Sequence, residues 1–306
     1  MTLEMNRGAA WICVAAGALL QALLLGAALR RRGLLRAANC WILLLPAALG
    51  LGLARGGFEA LQAGDRFSDF RWCYTLGLAG MACGTALAAR IAGGKPMDLL
   101  DENAFGICLA MAFARGAQRW MGEAGIGPIL EQFHLFTMVN DWEEPVLATW
   151  AVEAAACLLA AGAVLAAGRR KPRHSGGSFW LAVFFLLIPQ ILIEQFRSGA
   201  YLRFEMMRLE QALFALFALA GIADLCAQVS RGAEKGRAGI WWPVPAFLAC
   251  CGAIAFLQFV LDGKLAEWPA ELCWALYAAM IAGMLAIAWA AVRRADQRGN
   301  GKDACV

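Results

Sequence analysis

Apolar runs, each about the length of a membrane-crossing helix, recur along the whole chain, separated by short clusters of arginine, glycine and acidic residues. A helix needs roughly 20 such residues to cross the hydrocarbon core, so the pattern predicts a bundle of spanning helices rather than a barrel. The runs predict nine helices at about 8–29, 37–54, 72–92, 98–119, 145–168, 178–196, 206–228, 238–261 and 269–292. The first run is longer than the apolar region of a signal peptide. It also has no basic segment before it and carries its arginines after it, so it reads as a retained helix. The expected fold is an all-α polytopic membrane protein, with a small extracytoplasmic cap built from the two longest outer segments, Arg55 to Arg71 and Met121 to Glu144.

Composition agrees with this pattern. Of 306 residues, 61% are hydrophobic and 16% charged, against about 45–50% and about 25% in ordinary soluble domains. No soluble domain of normal size fits between the runs. The eleven cysteines lie mostly inside apolar runs without CxxC spacing, and the two histidines are His134 and His174. That argues against a zinc site, a metal cofactor or a disulfide framework and for packing cysteines. The net charge of +4 resides in the loops and suits an anionic membrane surface rather than nucleic acid.

The distribution of basic residues orients the bundle. With the N-terminus outside, 17 of the 27 lysines and arginines fall in inner segments, around Arg30 to Arg36, Arg90 and Lys95, Arg169 to Arg173, Arg231 to Arg237, and Arg293 to Lys302. The excess on one side predicts an N-out, C-in multi-pass protein. Of the ten basic residues left outside, nine are arginine: Arg7, Arg55, Arg66, Arg71, Arg115, Arg119, Arg197, Arg203 and Arg208, with Lys264 the exception. Singly, each reads as an interfacial anchor. Together they suggest recognition of phosphate, which a guanidinium grips in a bidentate way that an ammonium cannot.

Polar residues at membrane depth are the candidate chemistry, because each charge there costs roughly 2.5–3.5 kcal/mol to insert. On the fourth helix Asp101 precedes Arg115 by fourteen residues, about 21 Å along a helix and nearly the same face. Gln118 and Arg119 continue that face before Gly122, Glu123, Gly125 and Gly127 end the helix. Glu153 is buried in an apolar stretch of the fifth helix, and Gln190, Glu194 and Arg197 form one stripe on the sixth, beside Pro189. Two readings stand: buried ion pairs that staple helices together, or an outward-facing, lipid-level cavity for an anion. The excess of arginine and amide groups over one-to-one pairing favours the second.

These residues resemble the bacterial prolipoprotein diacylglyceryl transferases. Arg115, Gln118 and Glu123 hold the offsets of that family's signature on its fourth helix, with Gln for Asn, and Asp101 holds its preceding aspartate. EEPVLATWAVE resembles the opening of its fifth helix and supplies Glu153. GGSFWLAVFFLLIPQILIEQFR resembles its sixth helix and supplies Glu194 and Arg197, and MMRLEQALFALFALAGI its last core helix. Tyr74 stands near the outer end of the third helix where the family has a histidine, and Gln190 where it has an arginine.

The resemblance implies a seven-helix transferase-like core over 1–228, leaving 229–306 as an additional two-helix hairpin and tail. It implies a multi-pass enzyme of the bacterial cytoplasmic membrane that moves a diacylglyceryl group from phosphatidylglycerol to the lipobox cysteine of a prolipoprotein signal peptide, without a cofactor. It assigns Arg115, Glu123 and Tyr74 to catalysis. Gln118, Arg119, Glu153, Gln190, Glu194 and Arg197 fall to substrate binding, and Asp101 to structure. The alternative is a non-catalytic homologue that binds an anionic phospholipid or a signal segment. A transporter would be expected to show an internal repeat or paired broken helices, and neither is seen.

Overall fold

A computed structural model describes residues 6–61, 72–121, 125–132, 135–140, 142–168, 175–197, 203–204, 207–231, 237–264 and 268–303. Its α-helices are α1 (Arg7–Arg31), α2 (Leu45–Leu61), α3 (Tyr74–Ile91), α4 (Pro96–Ala117), α5 (Thr149–Gly168), α6 (Gly177–Ile193), α7 (Leu209–Arg231), α8 (Pro243–Leu261) and α9 (Ala270–Asp303). Seven segments of the described chain are long and apolar enough to cross a membrane: α1, α2 with the 3-10 turn before it, α5, α6, α7, α8 and α9. The chain is a mostly helical, multi-pass membrane protein.

Helix starts follow local chemistry. The Asn6 side chain accepts from the Ala9 N–H at 3.0 Å and caps α1, and Pro96 and Pro243 open α4 and α8, where a missing N–H is harmless. Asp101 does its work at a distance. From α4 it accepts the backbone N–H groups of Gly176 at 2.6 Å and Phe179 at 2.8 Å, so it caps α6 across the bundle. Gly176 has φ +98°, which brings the chain into α6 in a conformation that side chains disfavour.

Packing is close where small residues meet. A Cβ on Gly84 of α3 would stand 2.6 Å from the Leu45 carbonyl oxygen, and one on Gly80 would overlap the Leu49 carbonyl. Glycine therefore lets α2 and α3 approach backbone to backbone, a common way for helices to associate in lipid. One large apolar core runs from Tyr74 and Met111 through Leu187, Phe184 and Phe214 to Phe247 and Met284. It includes α8 and α9, which pack on α6 and α7.

The structure departs from the predicted boundaries mainly at one end of the bundle. Pro145–Leu147, expected to open a helix, is instead β2, paired antiparallel with β1 (Thr137–Val139). Met207–Arg208, expected inside the seventh helix, is β4, paired with β3 (Arg203–Phe204). Both stretches lie where helices turn back, and pairing satisfies backbone groups that the next helix cannot yet use. The second helix begins as a 3-10 turn over Ala37–Leu44 and runs on to Leu61, so Arg55 is helical and pairs with Glu59 at 2.8 Å. We call this the hairpin end and the opposite one, with Arg30 to Arg32, Arg90 and Arg294, the basic end.

Candidate functional site

The hairpin end brings together residues from α3, α4, α5, α6 and α7. Arg115 and Gln118 come from the end of α4, Glu153 from the first turns of α5, and Gln190, Glu194 and Arg197 from the end of α6. Arg208 comes from β4, Glu210 from the start of α7, and Tyr74 from the start of α3. All are buried; Arg115 is 1% exposed and Glu153 fully enclosed.

Their charges alternate. Arg115 Nη1 lies 3.0 Å from Glu153 Oε2, and the other oxygen of Glu153 takes a short hydrogen bond from Arg197 Nη2. Arg197 Nε lies 3.3 Å from Glu194 Oε2, and Arg208 Nη1 lies 3.4 Å from Glu194 Oε1. The order is Arg115, Glu153, Arg197, Glu194, Arg208, with three cations to two anions. Glu210 supplies a third carboxylate, and its Oε1 accepts the Tyr74 backbone N–H at 3.0 Å, capping α3.

Amides fill the remaining positions. With its nitrogen donating to Glu153 Oε2 at 3.0 Å, Gln118 presents its oxygen to Arg197 Nη1 and to the Tyr74 hydroxyl, each at 3.1 Å. Arg115 Nη2 donates to Gln190 Oε1 at 3.3 Å. Arg208 Nη2 donates to the Arg197 carbonyl at 2.5 Å, which ties the start of α7 to the chain just after α6. Arg115 Nε is buried without a described hydrogen-bond partner.

Tyr74 holds a boundary. The Arg115 guanidinium carbon lies 3.0 Å from the centre of its ring, and the single proton of its hydroxyl is shared between the Ala114 carbonyl at 3.0 Å and the Gln118 oxygen at 3.1 Å. The same side chain lines a small apolar cavity of about 60 Å³ between α1, α2, α3 and α4, whose walls include Val14, Leu51, Met81 and Met111. Tyr74 is thus the partition between this apolar niche and the first guanidinium of the charged chain.

No protein-family model, curated protein or solved structure matches the chain.

The sequence-predicted residues are not all gathered. Arg115, Gln118, Glu153, Gln190, Glu194, Arg197 and Tyr74 converge, as described above. Arg119 turns away, with its guanidinium 5.4 Å from the Trp120 ring and 5.9 Å from the Trp150 ring. Asp101 lies at the basic end as the cap of α6. Glu123 lies outside the described residues, as do Arg66 and Arg71.

Sequence reasoning missed Arg208, Glu210 and Gln211 as members of the site. Gln211 accepts the Arg208 backbone N–H at 3.1 Å and donates to the Ile191 carbonyl at 2.7 Å. Their signal was the cluster RLEQ directly before an apolar run, which reads equally well as an ordinary helix start. The arginine excess expected from the sequence is also smaller in the structure: three arginines face three glutamates once Arg208 and Glu210 are included.

The two last helices reach the site as well. Tyr277 of α9 donates to the same Ile191 carbonyl at 3.1 Å, and Gln258 of α8 donates to the Tyr277 hydroxyl at 3.1 Å. Phe196 and Trp274 stack with centroids 4.8 Å apart. The carbonyls at the end of α6 have no partner within the helix, and α7 and α9 satisfy one of them just before Glu194 and Arg197.

Proposed function

We propose that the protein is a transferase of the diacylglyceryl type, acting on an anionic phospholipid such as phosphatidylglycerol at the hairpin end of the bundle. The observation that carries this reading is the position of Tyr74. It separates a small apolar niche between helices from Arg115, a guanidinium suited to the phosphate that a lipid brings with it. Arg197 is the second phosphate ligand. Glu153 and Glu194 hold the two arginines in register, and Gln118 and Gln190 orient the glycerol portion. With the N-terminus outside, the hairpin end faces outward in a bacterial cytoplasmic membrane.

The reaction follows from the resemblance. The sulfur of a lipobox cysteine attacks the glyceryl carbon bonded to the phosphate ester oxygen. An S–C bond forms, the C–O bond breaks with its electron pair going to oxygen, and glycerol phosphate leaves carrying the thiol proton. Arginines at the phosphate stabilise the charge that develops on the leaving oxygen. Tyr74, at the family's histidine position, lies where the acceptor thiol would approach.

A second reading is favoured by a specific observation: each guanidinium of the chain is already held by a glutamate. On that reading the protein binds an anionic phospholipid or a signal segment without transfer. One experiment separates them. Purified protein is incubated with phosphatidylglycerol and a peptide bearing a lipobox cysteine, and the peptide is weighed. The transferase reading expects one added diacylglyceryl group. Bound lipid with an unchanged peptide mass leaves only the binding reading, and lipid binding indifferent to Arg115→Ala removes both.

A further inference from the structure

A second cavity, of about 320 Å³, opens at the basic end, remote from the charged chain. It lies between α7, α8 and α9, walled by Leu225, Val229, Ile240 and Ala291 and bordered by Arg294 and Gln297. We propose that this cavity binds an anionic phospholipid from the leaflet at the basic end, with Arg294 holding the phosphate. The proposal does not depend on the transferase reading.

Three observations support it. The first is the chemistry of the lining: apolar walls of Leu225, Val229, Ile240 and Ala291, with a guanidinium and an amide at the rim. Arg294 is exposed and in no described ion pair. Its guanidinium carbon lies 5.1 Å from the Trp242 ring, and its Nη1 donates only weakly, at 3.4 Å, to the Gly239 carbonyl. An arginine on an aromatic face with its fork open is suited to a bidentate phosphate contact.

The second observation concerns neighbouring acids. No carboxylate lines the cavity among the described residues. Asp224, the nearest on α7, accepts from Trp180 Nε1 at 3.0 Å and Gln228 Nε2 at 2.6 Å. Asp98 and Glu102 are engaged by Arg32. Asp296 follows Arg294 on α9, half-buried and outside the lining. Among the described residues the rim is therefore net positive, with Arg293 and Arg231 also exposed at this end.

The third observation sets the source of the anion. Trp241 and Trp242, exposed by 40% and 38%, sit where α8 begins, as aromatic side chains do at a membrane–water boundary. Basic pockets between helices at that depth suit lipid head groups. A soluble phosphate ester would leave the apolar walls uncovered.

The test is a titration of the full chain in detergent with phosphatidylglycerol or phosphatidylcholine, followed by native mass spectrometry. It uses the wild type, Arg294→Ala, Arg294→Gln and, as a control at the same end, Arg90→Ala. Both Arg294 variants are expected to bind one phosphatidylglycerol equivalent about tenfold more weakly, with Arg90→Ala unchanged and phosphatidylcholine unaffected. If either folded Arg294 variant matches Arg90→Ala, the proposal is wrong. Competition by millimolar glycerol phosphate would also overturn it, since the ligand would then be soluble. Repeating the titration in Arg115→Ala separates the two sites: a lipid equivalent lost there belongs to the hairpin end, while the one lost with Arg294 belongs here.

Discussion

The two ends of the bundle use the same chemical groups in opposite surroundings. At the basic end Arg32 Nε meets Glu102 at 2.7 Å and its Nη1 meets Asp98 at 3.3 Å, with all three side chains about 30% exposed. At the hairpin end Arg115, Arg197 and Arg208 meet Glu153 and Glu194 at similar distances, with each side chain 3% exposed or less. Distance alone does not distinguish the two. Burial does, because water and salt screen the first set and are excluded from the second. A chain of charges kept dry at membrane depth is costly to assemble, which is why it invites a functional reading.

The sharpest way to break the comparison is Glu153→Ala. It leaves Arg115 and Arg197 without their shared carboxylate, and removing one member of a buried pair costs about 3–5 kcal/mol. A large fall in thermal midpoint in detergent is expected, and a fall no greater than that of an Arg32 variant would mean the hairpin end is wetter than its geometry implies. The companion test removes two arginines and two carboxylates together, so that Arg208 and Glu194 remain as a pair. Because buried pairs can be replaced by uncharged residues at little cost, Arg115→Met, Glu153→Leu, Arg197→Met and Glu210→Gln combined should fold better than Glu153→Ala. If that protein still binds as many phosphatidylglycerol equivalents as wild type, the charged chain is only a staple.

Next in size is the contrast between two neighbouring arginines. Arg115→Ala should abolish the phosphatidylglycerol equivalent bound at the hairpin end, whereas Arg119→Ala, whose side chain rests on Trp120 and Trp150, should weaken it less than tenfold. A lipid-binding titration of both variants decides this. Equal losses would mean that the phosphate sits beyond the end of α4 rather than beside Tyr74.

A smaller effect is expected where the last helices brace the site. Tyr277→Phe removes the donor to the Ile191 carbonyl but leaves Gln211 on the same oxygen. The expected loss is about 1 kcal/mol of stability, read by thermal unfolding. No change at all would show that α9 is held by the Phe196–Trp274 stack and its apolar face alone.

Much of this architecture was legible in the sequence, for identifiable reasons. Apolar runs report burial in lipid directly, so most of the long helices were visible within a few residues, although α2 and α9 run on to Leu61 and Asp303, past their expected ends at 54 and 292. The spacing of Arg115 and Gln118 on one helix, and of Gln190, Glu194 and Arg197 on another, fixed which residues share a face. Which faces meet is a tertiary fact, and there the sequence was ambiguous. The fourteen-residue spacing puts Asp101 at the opposite end of α4 from Arg115, but nothing in it shows that Asp101 caps α6 there. Arg208 looked like one more interfacial anchor until Glu194 was found against it. Tyr277 lies in an apolar run and gave no sign that its hydroxyl reaches a carbonyl on α6.

The smallest expected effect completes the contrast between the ends. Arg32→Ala removes two ion pairs at once, and on a simple count of contacts it should rival the loss of Glu153. Yet Arg32, Asp98 and Glu102 remain in reach of solvent, and exposed pairs are each worth about 0–1 kcal/mol, less as salt rises. Thermal unfolding of Arg32→Ala should therefore differ little from wild type at low ionic strength and merge with it at high salt. Glu153→Ala should keep its deficit at both, because ions do not enter the dry chain. A salt-sensitive Glu153→Ala deficit would mean that water reaches Arg115 and Arg197 in the ground state, and Tyr74 would then be an open door to the phosphate site rather than its partition.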